Sequence, residues 1–269
     1  ASIVTISQSQ SRSLRQVRSS YKASSAPLKR SKASSWCCSL HLSDYDWFAA
    51  RAAKGRSGDA LVVRRLGLQD YEPIFRSMRY LAEHPKPGRA DEIWLLSHKP
   101  VYTQGQAGKS EHILNPGSVP VVQVDRGGQV TYHGPGQLVA YLLMDMRRRK
   151  MGIRCLVDLI EQAIIRTLCD YEIYATTRPG APGVYVNDAK IAALGLRVKN
   201  GCTYHGLSLN VNMDLSPFLD INPCGFEKLP VTQIADFVPE QKQLLYSVSR
   251  KLADALLNGL GYESHYGSF

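Results

Sequence analysis

Residues 138–144 are apolar at both odd and even positions. A strand of that kind is buried on both faces, so this chain must build a sheet that is covered on each side. Directly before it lies a stretch of opposite character, Arg126-Gly127-Gly128-Gln129-Val130-Thr131-Tyr132-His133-Gly134-Pro135-Gly136-Gln137. Four of its twelve residues are glycine, and Arg126, Gln129, Thr131, His133 and Gln137 can all hydrogen-bond. Polar, glycine-loaded sequence between two strands lets backbone approach a ligand closely. The same glycines also suit a wide hairpin that needs them only for its turns.

The elements around this pair mix strand and helix without a regular repeat. Residues 60–66, 92–97 and 119–124 read as strands. Between the first two, residues 71–84 carry apolar side chains at helical spacing, with Pro73 tolerated in the first turn and Pro85 and Pro87 ending the helix. Residues 101–108 read as a polar glycine loop. The clearest helix spans 153–170, where Ile153, Leu156, Val157, Ile160, Ala163, Ile164, Thr167 and Leu168 share one face. Short strands are expected near Ile173 and at 183–186. Asn187-Asp188 signals a tight turn into a strand at 190–198, and Asn200-Gly201 a hairpin into 203–211. A C-terminal helix carries Leu244, Leu245, Val248, Leu252, Ala255 and Leu256, and stops at Gly259. The fold class is α+β, a mixed and mostly antiparallel sheet with packed helices.

The 269-residue chain carries a net charge of +10, but unevenly. Residues 1–59 hold ten Lys and Arg against three Asp and Glu, while the rest holds 23 against 20. The basicity thus argues poorly for a nucleic-acid surface on the core. Residues 1–58 are rich in Ser and Arg and too poor in large apolar side chains to offset their ordering entropy. They are expected to be a disordered extension, with the composition of an organelle transit peptide or of a solvated tail. The catalytic domain is expected over 59–269. No apolar run approaches a membrane span, so no membrane partner is expected. The six cysteines form no CxxC pair and no zinc-ligand pattern, which suits free thiols in a reducing compartment.

Candidate chemistry lies in three places. Cys224 sits between Pro223 and Gly225, which puts its thiol on a tight loop. Lys190, if 189–198 is a strand of period two, shares a face with Ala192, Leu194, Leu196 and Val198. A lysine there either snorkels out or is held where desolvation lowers its pKa, and a bulge would reset the parity. His205 shares parity with Leu207, Leu209 and Val211, which suits a buried, hydrogen-bonded histidine. His133 lies on the polar parity with Gln129 and Thr131 and is the better placed to face a ligand. There is no phosphate loop, no GxGxxG and no GxSxG elbow. Paired carboxylates are missing from the glycine-rich segments. A thiol, an oddly placed lysine, two histidines and a glycine-lined site together suggest acyl transfer through a thioester.

Residues 126–137 resemble the signature of the lipoyl(octanoyl) transferases, also called lipoate–protein ligase B. Blocks at 100–108, 181–186, 190–197 and 202–225 agree with it, so the similarity runs from about Ala60 onward. The resemblance implies the fold shared by biotin and lipoate protein ligases, with one larger and one smaller sheet. It implies an enzyme that takes an octanoyl group from octanoyl-acyl carrier protein and holds it as a thioester on Cys224. The acceptors are lysines of lipoyl domains, on 2-oxoacid dehydrogenase E2 subunits and the glycine cleavage H protein. Lys190 would lower the pKa of the thiol. Arg126 to His133, Ala193-Leu194-Gly195 and His205-Gly206-Leu207-Ser208 would line the substrate site. Exchange between thioesters needs no ATP, no other cofactor and no metal. A bacterial-type core places the chain in the cytoplasm, or in mitochondria if the extension is a transit peptide. The nearest rival is an ATP-dependent lipoate or biotin ligase of the same fold.

Overall fold

The computed structural model describes residues 47–52, 60–225 and 229–263. Its elements in chain order are β1 (Trp47–Ala52), β2 (Ala60–Gln69), α1 (Tyr71–Glu83), β3 (Asp91–His98), β4 (Val101–Gln104), β5 (Val121–Gln123), β6 (Val130–His133) and β7 (Gln137–Leu143). There follow α2 (Met146–Arg149), α3 (Ile153–Cys169), β8 (Thr176–Thr177), β9 (Gly183–Val186), β10 (Ala189–Lys199), β11 (Cys202–Asn210), α4 (Leu244–Gly259) and β12 (Tyr262–Glu263). The expected disordered extension lies outside the described residues, apart from β1. That strand falls inside the 1–58 stretch and pairs antiparallel with β2 and β12.

Among the described residues the strands form a nine-stranded sheet, ordered β12-β1-β2-β3-β7-β11-β10-β9-β8, and a three-stranded sheet, β5-β4-β6. Among the described strands, only β2–β3 and β4–β5 form parallel pairs. The α+β class and the larger and smaller sheets are therefore as expected. β7 is buried along its whole length and lies near the middle of the large sheet, as its unbroken apolar run demands. One face of the sheet packs against α3 and α4, where Leu95, Ala140, Leu142 and Leu207 meet Leu156, Ile160, Ile164, Val248 and Leu252. The other face packs against α1, where Trp94, Val139, Tyr141 and Tyr204 meet Ile74 and Met78.

The two predicted turns take the backbone that their residues favour. Asn187 and Asp188 have φ of 47° and 68°, and Asn200 and Gly201 have φ of 49° and 75°. Both pairs match the left-handed turns that join tight hairpins with the right strand twist. The expected loop at 101–108 instead begins as β4, because Val101, Tyr102 and Thr103 are buried in the small sheet. The strand expected near Ile173 forms later, as β8.

α2 is too short to be seen as periodicity, and it is held by charge. Asp91 accepts from Arg148 Nη2 at 2.5 Å and from Arg149 Nε at 2.6 Å. Its Oδ1 also takes the Asp145 backbone N–H at 2.9 Å. The Asp145 carboxylate caps α2 by accepting from the N–H groups of Arg147 and Arg148.

Candidate active site

β7, β11 and β10 lie side by side, and on the α1 face of that sheet the Arg126–His133 stretch crosses above them. The cleft between is lined by Arg126, Gly128, Gln129, Val130, Thr131 and His133 from the crossing strand. Ala193-Leu194-Gly195 and His205-Gly206-Leu207-Ser208 line it from β10 and β11. Three segments far apart in sequence thus meet around one cavity of about 50 Å³. The close approach depends on Gly195, where a Cβ would lie 3.0 Å from the Gly127 carbonyl oxygen. Gly127 in turn donates its N–H to the Leu196 carbonyl at 3.2 Å, which ties the crossing strand to β10.

Two members of the expected lining stand apart. Gly127 contributes backbone bonding and does not line the cleft. Tyr132 turns into the small sheet's own core, against Tyr102 and Phe218. Tyr71, Val139 and Tyr141 line the cleft and were not foreseen. A phenol within an otherwise aliphatic run was the available signal for Tyr141.

The wall near α1 is a network of neutral rings with fixed proton positions. His98 Nδ1 faces the Gln69 carbonyl at 3.1 Å, so that nitrogen carries the proton and donates. Its Nε2 then accepts from the Tyr141 hydroxyl at 2.7 Å. His133 Nδ1 donates to Gln137 Oε1 at 2.7 Å, because the Gln137 amide nitrogen is used on Tyr132 O and Asn210 Oδ1. Burial pushes the His98 imidazole down to about 4 and the His133 imidazole down to about 3, so both are uncharged at neutral pH. Burial likewise raises the Tyr71 and Tyr141 hydroxyls well above the usual phenol range. The Arg126 guanidinium is fastened to Thr103, donating to its carbonyl at 2.6 Å and to its hydroxyl at 2.9 Å.

His205 differs from its expected place. Its φ is +61°, a backbone value that non-glycine residues rarely adopt. The ring consequently leaves the Leu207–Leu209 face and lies on the opposite one, stacked on Phe75 at 5.4 Å and Tyr204 at 4.9 Å. Nε2 donates to Asp125 Oδ1 at 3.1 Å, and the Tyr204 hydroxyl donates to Asp125 Oδ2 at 2.5 Å. Burial opposes ionisation of Asp125, but these two donors outweigh it and bring the carboxyl down to about 2.

Lys190 is only 5% exposed. The period-two reading of its strand does not hold, because pairing with β9 shifts register between Lys190 and Ala192. Burial comes instead from local packing. Nζ donates to the Pro182 carbonyl at 3.0 Å and lies 5.3 Å from the centre of the Tyr185 ring. Gly183, at φ +140°, makes the room: a Cβ there would lie 2.5 Å from Lys190 Cε and 3.0 Å from Nζ. Gly183 pairs with Ala193, so the amine approaches the Ala193 end of the cleft. The Cys224 turn is a 3-10 helix, Pro223–Gly225, closed by the Gly225 N–H to Asn222 O at 3.0 Å. A Cβ at Gly225 would touch the Gln129 side chain at 3.3 Å and His112 Nε2 at 3.4 Å, so this turn borders a cleft-lining residue. Lys190 is joined to the chain just after the turn through its N–H to Pro230 O at 2.8 Å and its carbonyl from Thr232 N–H at 3.1 Å.

A glycine-lined cleft, with a buried lysine approaching its Ala193 side and the Pro223–Gly225 turn bordering Gln129, suits acyl handling. Residues 70–256 match the lipoyl protein ligase A/B catalytic domain. The chain is 61% identical over 179 residues to an octanoyltransferase of Legionella pneumophila, covering 66% of this chain and 90% of that one. The chain belongs to the lipoyl protein ligase A/B catalytic-domain family, within its octanoyltransferase branch. It is accordingly an acyltransferase. An octanoyltransferase of Cellvibrio japonicus is 56% identical over 204 residues, covering 76% of this chain and 94% of that one. Among solved structures, a bipartite lipoate protein ligase from Thermoplasma acidophilum superposes with a TM-score of 0.56 at 18% identity, over 73% of this chain and 83% of that one. A lipoate-protein ligase A bound with ATP gives 0.54 at 15% identity, over 74% and 82%. These distant structures share the fold. Among the described residues no group of three or more His, Cys, Asp or Glu could hold a metal ion, and no helix is long and apolar enough to cross a membrane.

Proposed function

We propose that the chain transfers an octanoyl group from octanoyl-acyl carrier protein to the ε-amine of a lysine on a lipoyl domain, through a thioester on Cys224. The observation that carries this reading is the meeting of six residues of the 126–133 stretch with 193–195 and 205–208 around one cleft, with the Pro223–Gly225 turn against Gln129 at its border.

In the first half-reaction Cys224 loses its proton to Lys190 and attacks the donor thioester. The carrier thiolate leaves and takes a proton. A free thiol titrates near about 8.5, so a neighbouring ammonium that favours the thiolate raises the reactive fraction at neutral pH. One thioester replaces another, so the step is close to balanced and needs no ATP. In the second half-reaction the acceptor amine forms the amide bond, the C–S bond breaks, and the proton lost by nitrogen returns to the Cys224 sulfur. Gln129 Oε1, buried and without a hydrogen-bond partner among the described residues, can accept an N–H during that approach.

The names of the curated relatives support octanoyl as the acyl group, and the archaeal ligase was solved in work that includes its E2 lipoyl domain. Cys224→Ala abolishes the acyl adduct seen by intact-protein mass spectrometry after mixing with octanoyl-acyl carrier protein. An adduct persisting on Cys169 or Cys202 overturns the assignment. Transfer that depends on added ATP overturns the thioester route as a whole.

A further inference from the structure

Along β10 and β11 the lining of the cleft runs from the Ala193–Ser208 pair to His205. Ala193 pairs with Ser208, and Leu196 pairs with His205. The first pair lies at the end approached by Lys190, beside Gly183. His205 is three residues further on, about 10 Å at the rise of a β-strand. An extended eight-carbon chain spans about 9 Å with ordinary C–C bonds.

At the far end stands an unmet hydrogen-bond acceptor. The His205 side chain is 2% exposed. Asp125 is a carboxylate and accepts a hydrogen bond from the Nε2–H, so Nδ1 of the neutral ring presents a lone pair. That atom is buried and has no partner among the described residues. A buried acceptor left alone is costly, and a donor brought to it is gained nearly in full. The strained φ of His205 is what turns this atom out of its strand's alternation, and such strain persists where surrounding structure enforces it. Phe75, stacked on the ring, closes the space behind it.

We propose that His205, positioned by Asp125, closes the far end of the acyl cleft and reads the terminal carbon of the chain. This rests on the reading that the cleft holds the acyl group. The cleft takes chains of about eight carbons, and it takes an eight-carbon chain bearing a hydrogen-bond donor at its last carbon, such as a terminal hydroxyl, at least as well as the plain one. A longer alkyl chain meets the imidazole.

The test uses the full chain and two kinds of measurement. Octanoate and 8-hydroxyoctanoate are titrated calorimetrically against the wild-type protein. The hydroxy acid is expected to bind as tightly as octanoate or tighter; binding tenfold weaker overturns the proposal without any variant. Initial rates of acyl-enzyme formation are then compared for carriers bearing octanoyl, decanoyl and 8-hydroxyoctanoyl groups. His205→Gly tolerates the positive φ and removes both ring and acceptor. It is expected to raise the decanoyl-to-octanoyl ratio at least tenfold and to lower the hydroxyoctanoyl-to-octanoyl ratio at least tenfold. His205→Asn also tolerates that φ and restores an acceptor, so it recovers the hydroxyl preference while still admitting decanoyl. Unchanged ratios in a folded Gly variant refute the role of His205 alone. Failure of octanoate to bind the wild-type protein refutes instead the acyl cleft on which the proposal rests.

Discussion

Gly183→Ala is the sharpest probe of how Lys190 is held. The added Cβ would begin 2.5 Å from Lys190 Cε and 2.7 Å from the Ala192 carbonyl oxygen. Carbon atoms pack at about 3.5–4.0 Å, so the lysine must retreat by roughly 1 Å or more. The Nζ bond to Pro182 O, now 3.0 Å, does not survive such a shift along its present path. A misplacement of about 1 Å in a reacting group costs on the order of a hundredfold in rate. Alanine at φ +140° adds about 1–3 kcal/mol of backbone strain, which a domain of ordinary stability withstands. The variant should therefore fold, with a lower unfolding midpoint, and form the octanoyl adduct roughly a hundredfold more slowly. The assay is adduct formation by quenched-flow mass spectrometry, paired with the pH dependence of Cys224 alkylation by iodoacetamide. If Lys190 supports the thiolate, the alkylation profile moves to higher pH. A folded variant with wild-type adduct rate and an unmoved profile would refute the inference that the Gly183 notch places Lys190 for chemistry.

Lys190→Ala should slow adduct formation at least as much and shift the alkylation profile in the same direction; an unchanged profile removes the lysine from the dyad. Asp91→Ala leaves the Arg149 guanidinium, 5% exposed, without its carboxylate, and should cost about 3–5 kcal/mol in urea unfolding; a loss below about 1 kcal/mol contradicts the packing of α2. Stability should also fall in acid. His98 and His133 titrate lower in the folded chain than in the unfolded one, so the unfolded state binds more protons below about pH 6.5. Each contributes a slope of up to about 1.4 kcal/mol per pH unit as the pH drops toward their folded values near 4 and 3. Asp125 contributes in a lower window, its stabilisation being complete above the unfolded carboxyl range and lost as pH falls through about 2. Urea midpoints that stay flat between pH 7 and pH 5 refute the buried neutral histidines.

Much of this arrangement is legible in the chain because its causes are local. Asn187-Asp188 and Asn200-Gly201 announce their hairpins, since both residues of each pair accept positive φ. The 138–144 run announces a central strand, since only a strand covered on both faces tolerates it. What stays hidden arises from contacts across the fold. The bulge at Lys190–Ala192 follows from pairing with β9, and nothing in the strand's own pattern marks it. The reversal of His205 depends on Asp125 and Phe75, which lie in two segments far from it in sequence. Tyr132 was grouped with its neighbours by the motif, yet it belongs to a second core built from Tyr102 and Phe218. A contiguous signature in sequence is thus read by two cores at once.

Because β3 and β7 are neighbours in the large sheet, the chain leaves that sheet after His98 and returns to it at Gln137. The excursion carries β4, β5 and β6, and therefore the whole upper wall of the cleft. Its two ends are pinned together by the Ser97 hydroxyl on the Gln137 carbonyl at 2.6 Å. Loop-closure entropy grows only with the logarithm of length, so such an excursion can lengthen or shorten at small thermodynamic penalty. The lower wall, drawn from β10 and β11, has no such freedom, since its residues also carry the strand pairing of the large sheet. Changes of length in the roof outside residues 126–133 thus carry little folding penalty, while the floor stays bound to the pairing of the sheet.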